Sequence, residues 1–239
     1  MSVIIIRYPL ILLNLKTYTE STGQNAIDFA RIAERVYEKT GISIAVAPQT
    51  VDIQAVADSS ETLVFAQHVD PLKPGKNTGH TVPEALAEAG CEGTLISHSE
   101  RQLPLDVIEA TIRRAREADL YTVVCADTVE KAASVASFGP DAVAIEPPEL
   151  IGSGVPVSKA QPEIVSGAVE AVKRVEPNVK VLCGAGITDG EDVTAALELG
   201  AEGILVASGV VKAEDPYAAL LDLARAMQRW KTPVTDVTG

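Results

Sequence analysis

Residues 121–146 read YTVVCADTVEKAASVASFGPDAVAIE, and this stretch decides the fold class. Tyr121–Ala126 and Ala142–Ile145 are short, continuous apolar runs, as expected of parallel strands buried on both faces. Between them, residues 129–136 form an alanine-rich amphipathic segment that reads as a helix. A strand, a helix and a second strand thus follow one another within twenty-six residues.

The same alternation extends outward in both directions. Further strands are expected at Leu10–Leu15, Ile42–Ala47, Thr62–Ala66, Gly93–Ser97, Val179–Cys183 and Gly203–Val206. Helices are expected near 24–39, 82–89, 104–118, 161–175, 190–198 and 216–229, with one short helix at 51–58. Ser158 with Gln161 and Thr188 with Glu191 have capping-box spacing, and Gly41, Gly90 and Gly200 each follow a helical segment. Eight such units make an α/β protein that closes most economically into a single (β/α)8 barrel. An open doubly wound sheet would want G-x-G-x-x-G after its first strand, where this chain has Asn14-Leu15-Lys16-Thr17. No linker divides residues 1–239, so one domain is expected, with 1–8 as an N-terminal extension and 230–239 as a loose tail.

Length and composition agree with one barrel. The chain has 239 residues, 46% of them hydrophobic and 22% charged, which excludes a wholly disordered chain. Its net charge of −13 is the wrong sign for coating nucleic acid or anionic lipid. An anionic substrate must then be drawn in by local groups, and the excess acid also suits a salty cytoplasm. Cys91, Cys125 and Cys183 have no C-x-x-C spacing and suggest a reducing compartment. The apolar start is interrupted by Arg7, Asn14 and Lys16 without a small-residue cleavage site, so a cytoplasmic protein with no membrane span is expected.

Chemistry in such a barrel sits where the strands end. Those ends carry Asn14 and Lys16, Gln49, Gln67 and His68, His98, Asp127, and Glu146. The last two strands end instead in Gly184-Ala185-Gly186 and Ala207-Ser208-Gly209, where backbone N–H groups can approach phosphate oxygens. His98 lies in Ser97-His98-Ser99-Glu100-Arg101, which reads as a short helix capped by Ser97 and Glu100, whose N-terminus would keep the imidazole neutral. Lys16 needs a carboxylate partner, for which Glu100 is a candidate, and Glu146 is delivered by an apolar strand just before Pro147-Pro148. Residues 149–154, between a proline hinge and a glycine hinge, have the composition of a closing lid or of a surface loop. His68 and His80 lack metal spacing with His98, and neither a nucleophile elbow nor a Walker loop occurs.

Taken in order, Asn14-x-Lys16, Ser97-His98-Ser99-Glu100-Arg101, residues 144–152 (AIEPPELIG), Cys183-Gly184-Ala185-Gly186-Ile187 and Val206-Ala207-Ser208-Gly209 resemble the triosephosphate isomerases of short archaeal type. The likeness runs from about residue 10 to 228 and implies a TIM barrel. It implies that Glu146 is the base, His98 the electrophile that polarises the carbonyl, and Lys16 the fixed positive charge. Asn14, Ile151, Gly152, Gly184, Gly186, Ala207 and Ser208 would hold the substrate, with Glu100 in support. The implied reaction interconverts dihydroxyacetone phosphate and glyceraldehyde 3-phosphate with no metal or organic cofactor. It also implies a homo-oligomer, tetramer preferred over dimer. Leu15 replaces the family's usual aromatic residue, and the third loop reads Asn77-Thr78-Gly79-His80 rather than ending in glutamate. Two rival readings remain open here: another phosphosugar barrel enzyme sharing only the phosphate site, and a catalytically silent phosphate-ligand sensor.

Overall fold

A computed structural model describes residues 6–147 and 156–231. Eight parallel strands close in sequence order, β1 (Leu10–Asn14), β2 (Ser43–Ala47), β3 (Leu63–Ala66), β4 (Gly93–Ile96), β5 (Tyr121–Ala126), β6 (Ala142–Ile145), β7 (Lys180–Gly184) and β8 (Gly203–Val206). Leu10 pairs with both Ser43 and Gly203, which seals the barrel. The helices are α1 (Gln24–Thr40), α2 (Ile53–Ala57), α3 (Pro83–Glu88), α4 (Leu105–Glu117), α5 (Val129–Ala136), α6 (Val157–Ala160), α7 (Pro162–Val175), α8 (Gly190–Glu198), α9 (Ser208–Val211) and α10 (Pro216–Lys231).

Strand alternation sorts the apolar residues into two cores. Leu10, Leu12, Val123, Cys125, Ala142 and Ala144 belong to the cluster inside the barrel, while Ile11, Leu13, Val124, Val143 and Ile145 join the larger one beneath the helices. A period of two on continuous apolar runs fills both faces, which is why these strands show no polar face. Gly93 makes room for Phe65, whose ring lies 2.6 Å from where a Cβ would stand. The N-terminal end of the barrel is covered by Ile6 and Tyr8, with the Tyr8 and Tyr121 hydroxyls 2.6 Å apart. These two residues of the expected 1–8 extension therefore pack on the inner core, and residues 1–5 lie outside the described residues.

Several sequence expectations need correction. The helix expected near 161–175 is α7, which Pro162 opens at a first-turn position that needs no N–H, but the short α6 before it was not expected. Ser158 lies within α6, where its hydroxyl donates to the Asp192 carbonyl at 3.4 Å, and the N-cap of α7 is Gln161, with no side-chain cap. The cap of α8 is Asp189 rather than Thr188, in a reciprocal box with Asp192. A carboxylate one position later accepts from two amides, Glu191 and Asp192, which the Thr188 hydroxyl does not reach. Helix α10 continues through Trp230 and Lys231, the first two residues of the expected tail. No helix among the described residues is long and apolar enough to cross a membrane.

Candidate active site

Strand parity builds the mouth of the barrel. Residues 10, 12 and 14 point inward, as do 142, 144 and 146, so Asn14 and Glu146 continue the inner rows into the C-terminal opening. Continued alternation on β4 would turn His98 outward, but Ser97 has φ +60 and redirects the chain. Lys16 (φ +49) and Ala185 (φ +76) make the same departure after β1 and β7. Three of the four non-glycine residues with positive φ among the described residues thus stand at the mouth. Each such residue costs roughly 1–3 kcal/mol, held in place by the surrounding barrel.

These ends border an open cavity lined by Asn14, Lys16, His98 and Glu146 on one side, and by Ala185–Thr188 and Leu205–Gly209 on the other. The Lys16 ammonium donates to Glu100 Oε1 at 2.8 Å, and the Lys16 amide donates to Asn14 Oδ1 at 3.0 Å. Gln67 holds the Lys16 and Ala47 carbonyls together at 2.8 and 2.9 Å. Its position at the end of β3 was legible, but its partners come from two other strands.

His98 itself caps the short 3-10 turn Ser99–Arg101: its Nδ1 accepts the Glu100 amide at 3.2 Å. Ser97 was the expected cap, but its Oγ instead accepts from the Leu103 amide at 3.1 Å. A ring that accepts at Nδ1 carries its proton on Nε2, and Nε2 lies 3.5 Å from Glu146 Oε1. Burial pushes the His98 pKa down, but hydrogen bonding and charge from Glu146 outweigh it, and the net direction is up. The helix terminus alone would favour a neutral ring. The carboxylate opposite, brought from β6, reverses the balance while it is ionised.

Glu146 is 4% exposed, and its Oε2 has no hydrogen-bond partner among the described residues. Gly184 does not line the cavity; it stands behind Glu146, whose Cγ lies 2.6 Å from where a Cβ would be. Cys125 is buried beside the same carboxylate, and burial followed by Glu146 drives its thiol well above the ordinary value. That thiol is inert at neutral pH, so no nucleophilic cysteine serves this site.

The opposite wall is backbone. Gly186 has φ +74, and Ser208 and Gly209 open α9, whose first amides have no carbonyl within the helix to bond. Four residues are too few for a periodicity signal, so α9 escaped the sequence reading. Gly209 packs against the β7 loop so closely that a Cβ would lie 2.5 Å from the Ile187 carbonyl. Ala185 and Gly209 line the cavity as the glycine-rich strand ends suggested, whereas Ile187 and Thr188 were not expected there. Ile151 and Gly152 lie outside the described residues. No group of three or more potential metal-ligating His, Cys, Asp or Glu residues occurs among the described residues.

A carboxylate facing an imidazole, with a lysine lining the same cavity and a wall of backbone amides opposite, suits a barrel enzyme that moves a proton on a small anionic substrate. Comparison with known proteins narrows that class. The family model described as triosephosphate isomerase matches residues 9–227, and the chain belongs to that family. A protein of Methanosarcina mazei named triosephosphate isomerase is 56% identical over 91% of this chain and 98% of its own length. Its counterpart in Methanocaldococcus jannaschii is 51% identical over 90% of this chain and 99% of its own. One from Methanothermobacter thermautotrophicus is 51% identical over 90% of this chain and 94% of its own.

Proposed function

We propose that this protein is an aldose–ketose isomerase that interconverts dihydroxyacetone phosphate and D-glyceraldehyde 3-phosphate through an enediolate, in glycolysis and gluconeogenesis. The observation that carries the reading is the pairing of Glu146 Oε1 with His98 Nε2 at 3.5 Å on the wall facing the anion-binding loops. Aldose–ketose exchange needs one base, one proton-handling acid and a grip on the phosphate, and this cavity holds each once.

In this reading Glu146 removes the proton from the carbon beside the carbonyl. Its buried inner position leaves it poorly solvated, so proton transfer requires little solvent reorganisation. His98 donates its Nε2–H to the carbonyl oxygen. Once Glu146 has taken the substrate proton, its pull on the imidazole disappears. Burial and the Glu100 amide then hold the ring neutral, and it can shuttle a proton between the two enediolate oxygens. Lys16, braced by Asn14 and Glu100, stabilises the negative charge on the enediolate and the phosphate. Gly186, Ala207 and Ser208 receive the phosphate, with Asn14 orienting the oxygens. Ile151 and Gly152 complete that set by resemblance, and Gly184 acts through Glu146 rather than by touching substrate.

The test is isomerisation of glyceraldehyde 3-phosphate coupled to a dehydrogenase, with Glu146→Gln purified in parallel. A loss of about 10²- to 10⁴-fold in kcat with little change in stability is expected, the usual span for a general base. An unchanged kcat removes Glu146 from its role. No turnover by folded wild type at low or high salt overturns the reading and returns the sensor or another phosphosugar enzyme.

The reading extends to a cytoplasmic protein, and to the short archaeal type, the latter supported by similarity to the proteins of Methanosarcina mazei and Methanocaldococcus jannaschii. It also extends to a homotetramer in preference to a dimer. Light scattering across salt concentrations tests the assembly, and a dimer mass throughout overturns it.

A further inference from the structure

Behind the anion-binding wall lies a buried carboxylate that the proposed chemistry does not use. Asp192, at the third position of α8, is 1% exposed. Its Oδ2 accepts from the Thr188 amide at 2.9 Å, the Thr188 hydroxyl at 2.8 Å and the Asp189 amide at 3.4 Å. On the other side the Lys159 ammonium of α6 lies 2.7 Å from Oδ1, and the Ser158 hydroxyl reaches the Asp192 carbonyl at 3.4 Å. One aspartate therefore ties α6, the start of α8 and the end of the β7 loop together.

We infer that Asp192, charge-balanced by Lys159, is a positioning residue for the phosphate wall: it holds Thr188 in place and, through Thr188, the Gly186–Ile187 backbone. Thr188 lines the cavity, yet its amide and hydroxyl are both turned to Asp192. Its contribution to the wall is therefore placement rather than a hydrogen bond to substrate. Contact between the two loops makes that placement matter, since Ile187 and Thr188 meet Gly209 without room for a methyl group. A shift of Thr188 is passed directly to the neighbouring loop, because close-packed atoms have no slack to absorb it. Lys159 answers a second requirement. A buried carboxylate next to an anion site would repel the phosphate unless a cation offsets it.

The inference rests on the proposed function and predicts a defect confined to the phosphate end of the substrate. Asp192→Asn keeps the shape of the side chain but loses the charge that gathers these donors. With glyceraldehyde 3-phosphate its kcat/KM should fall at least about tenfold, the loss expected when positioning of a bound group is relaxed. With unphosphorylated glyceraldehyde, which uses Glu146 and His98 but not the wall, kcat/KM should stay within about twofold of wild type, as expected when only phosphate-end interactions are lost. Lys159→Gln, altering a half-exposed side chain, guards against misfolding of the first variant. It should raise KM for the phosphorylated substrate several-fold, with the increase shrinking in high salt as the unbalanced carboxylate is screened. Equal losses on both substrates would make Asp192 a general structural residue, and no loss on either would deny it any role. Wild-type protein inactive on both substrates would instead overturn the proposed function, an outcome separate from either.

Discussion

The two ends of this barrel are built from the same strands but handle polar groups in opposite ways. At the N-terminal end they are paired. The Asp141 carboxylate accepts both the amide and the hydroxyl of Thr122 at 2.8 Å, the Glu92 carboxylate accepts the Val64 amide at 2.7 Å, and Glu202 sits 2.7 Å from both Lys173 and Lys180. At the C-terminal end Glu146 Oε2 is buried without a partner among the described residues, and backbone strain gathers at Lys16, Ser97 and Ala185. One end stabilises the fold, and the other holds its groups in costly positions that a reaction can use. Eight parallel strands produce this polarity because every strand delivers its last residue to the same face.

If that division is correct, substitutions at the two ends should separate activity from stability. The largest effect is expected at the mouth. Gly184→Ala would place a methyl group 2.6 Å from Glu146 Cγ, closer than real Cβ contacts, so the carboxylate must move. A loss of about 10²-fold in kcat is expected, since displacements near 1 Å carry penalties of that order. Full activity would mean that Glu146 has slack the packing does not suggest. At the other end, Asp141→Ala leaves the two donors of Thr122, which is 1% exposed, without their acceptor. Urea unfolding should show a loss of about 1–3 kcal/mol while kcat stays at its wild-type value. A parallel fall in kcat would break the separation between the ends.

The mouth was largely legible in the sequence because polar residues interrupt apolar runs where the strands end. Asn14, Lys16, His98 and Glu146 stood out for that reason, and the eight runs themselves revealed the barrel. Contacts between distant segments were not legible. Gln67 bridges β1 and β2, Asp192 gathers α6 and the β7 loop, and Tyr8 meets Tyr121 across 113 positions of sequence. None of these pairings leaves a local pattern. The capping errors at Ser97 and Thr188 have a different cause: His98 and Asp189 lie one residue later and offer the better acceptor to the amides of the first turn. The net direction of the His98 titration was also beyond reach, because it depends on Glu146, a carboxylate from a distant strand.

The smallest predicted effect lies in pH, where the two ends carry opposite signs. Burial raises the Glu202 pKa, but Lys173 and Lys180 outweigh it and bring it below its ordinary 4.5. Its contribution to stability is therefore present above that value and lost as pH falls through the folded pKa. His98 titrates above its ordinary 6.5 because Glu146 outweighs burial, so its contribution is full below 6.5 and lost as pH rises through the folded pKa. The two ends thus respond to acid in opposite directions. Glu146→Gln removes the raising influence and leaves burial, so the His98 pKa should fall, as read from its ring protons by NMR. An unchanged titration would mean that Glu146 does not govern His98, and the mouth would lose the opposition that distinguishes it from the other end.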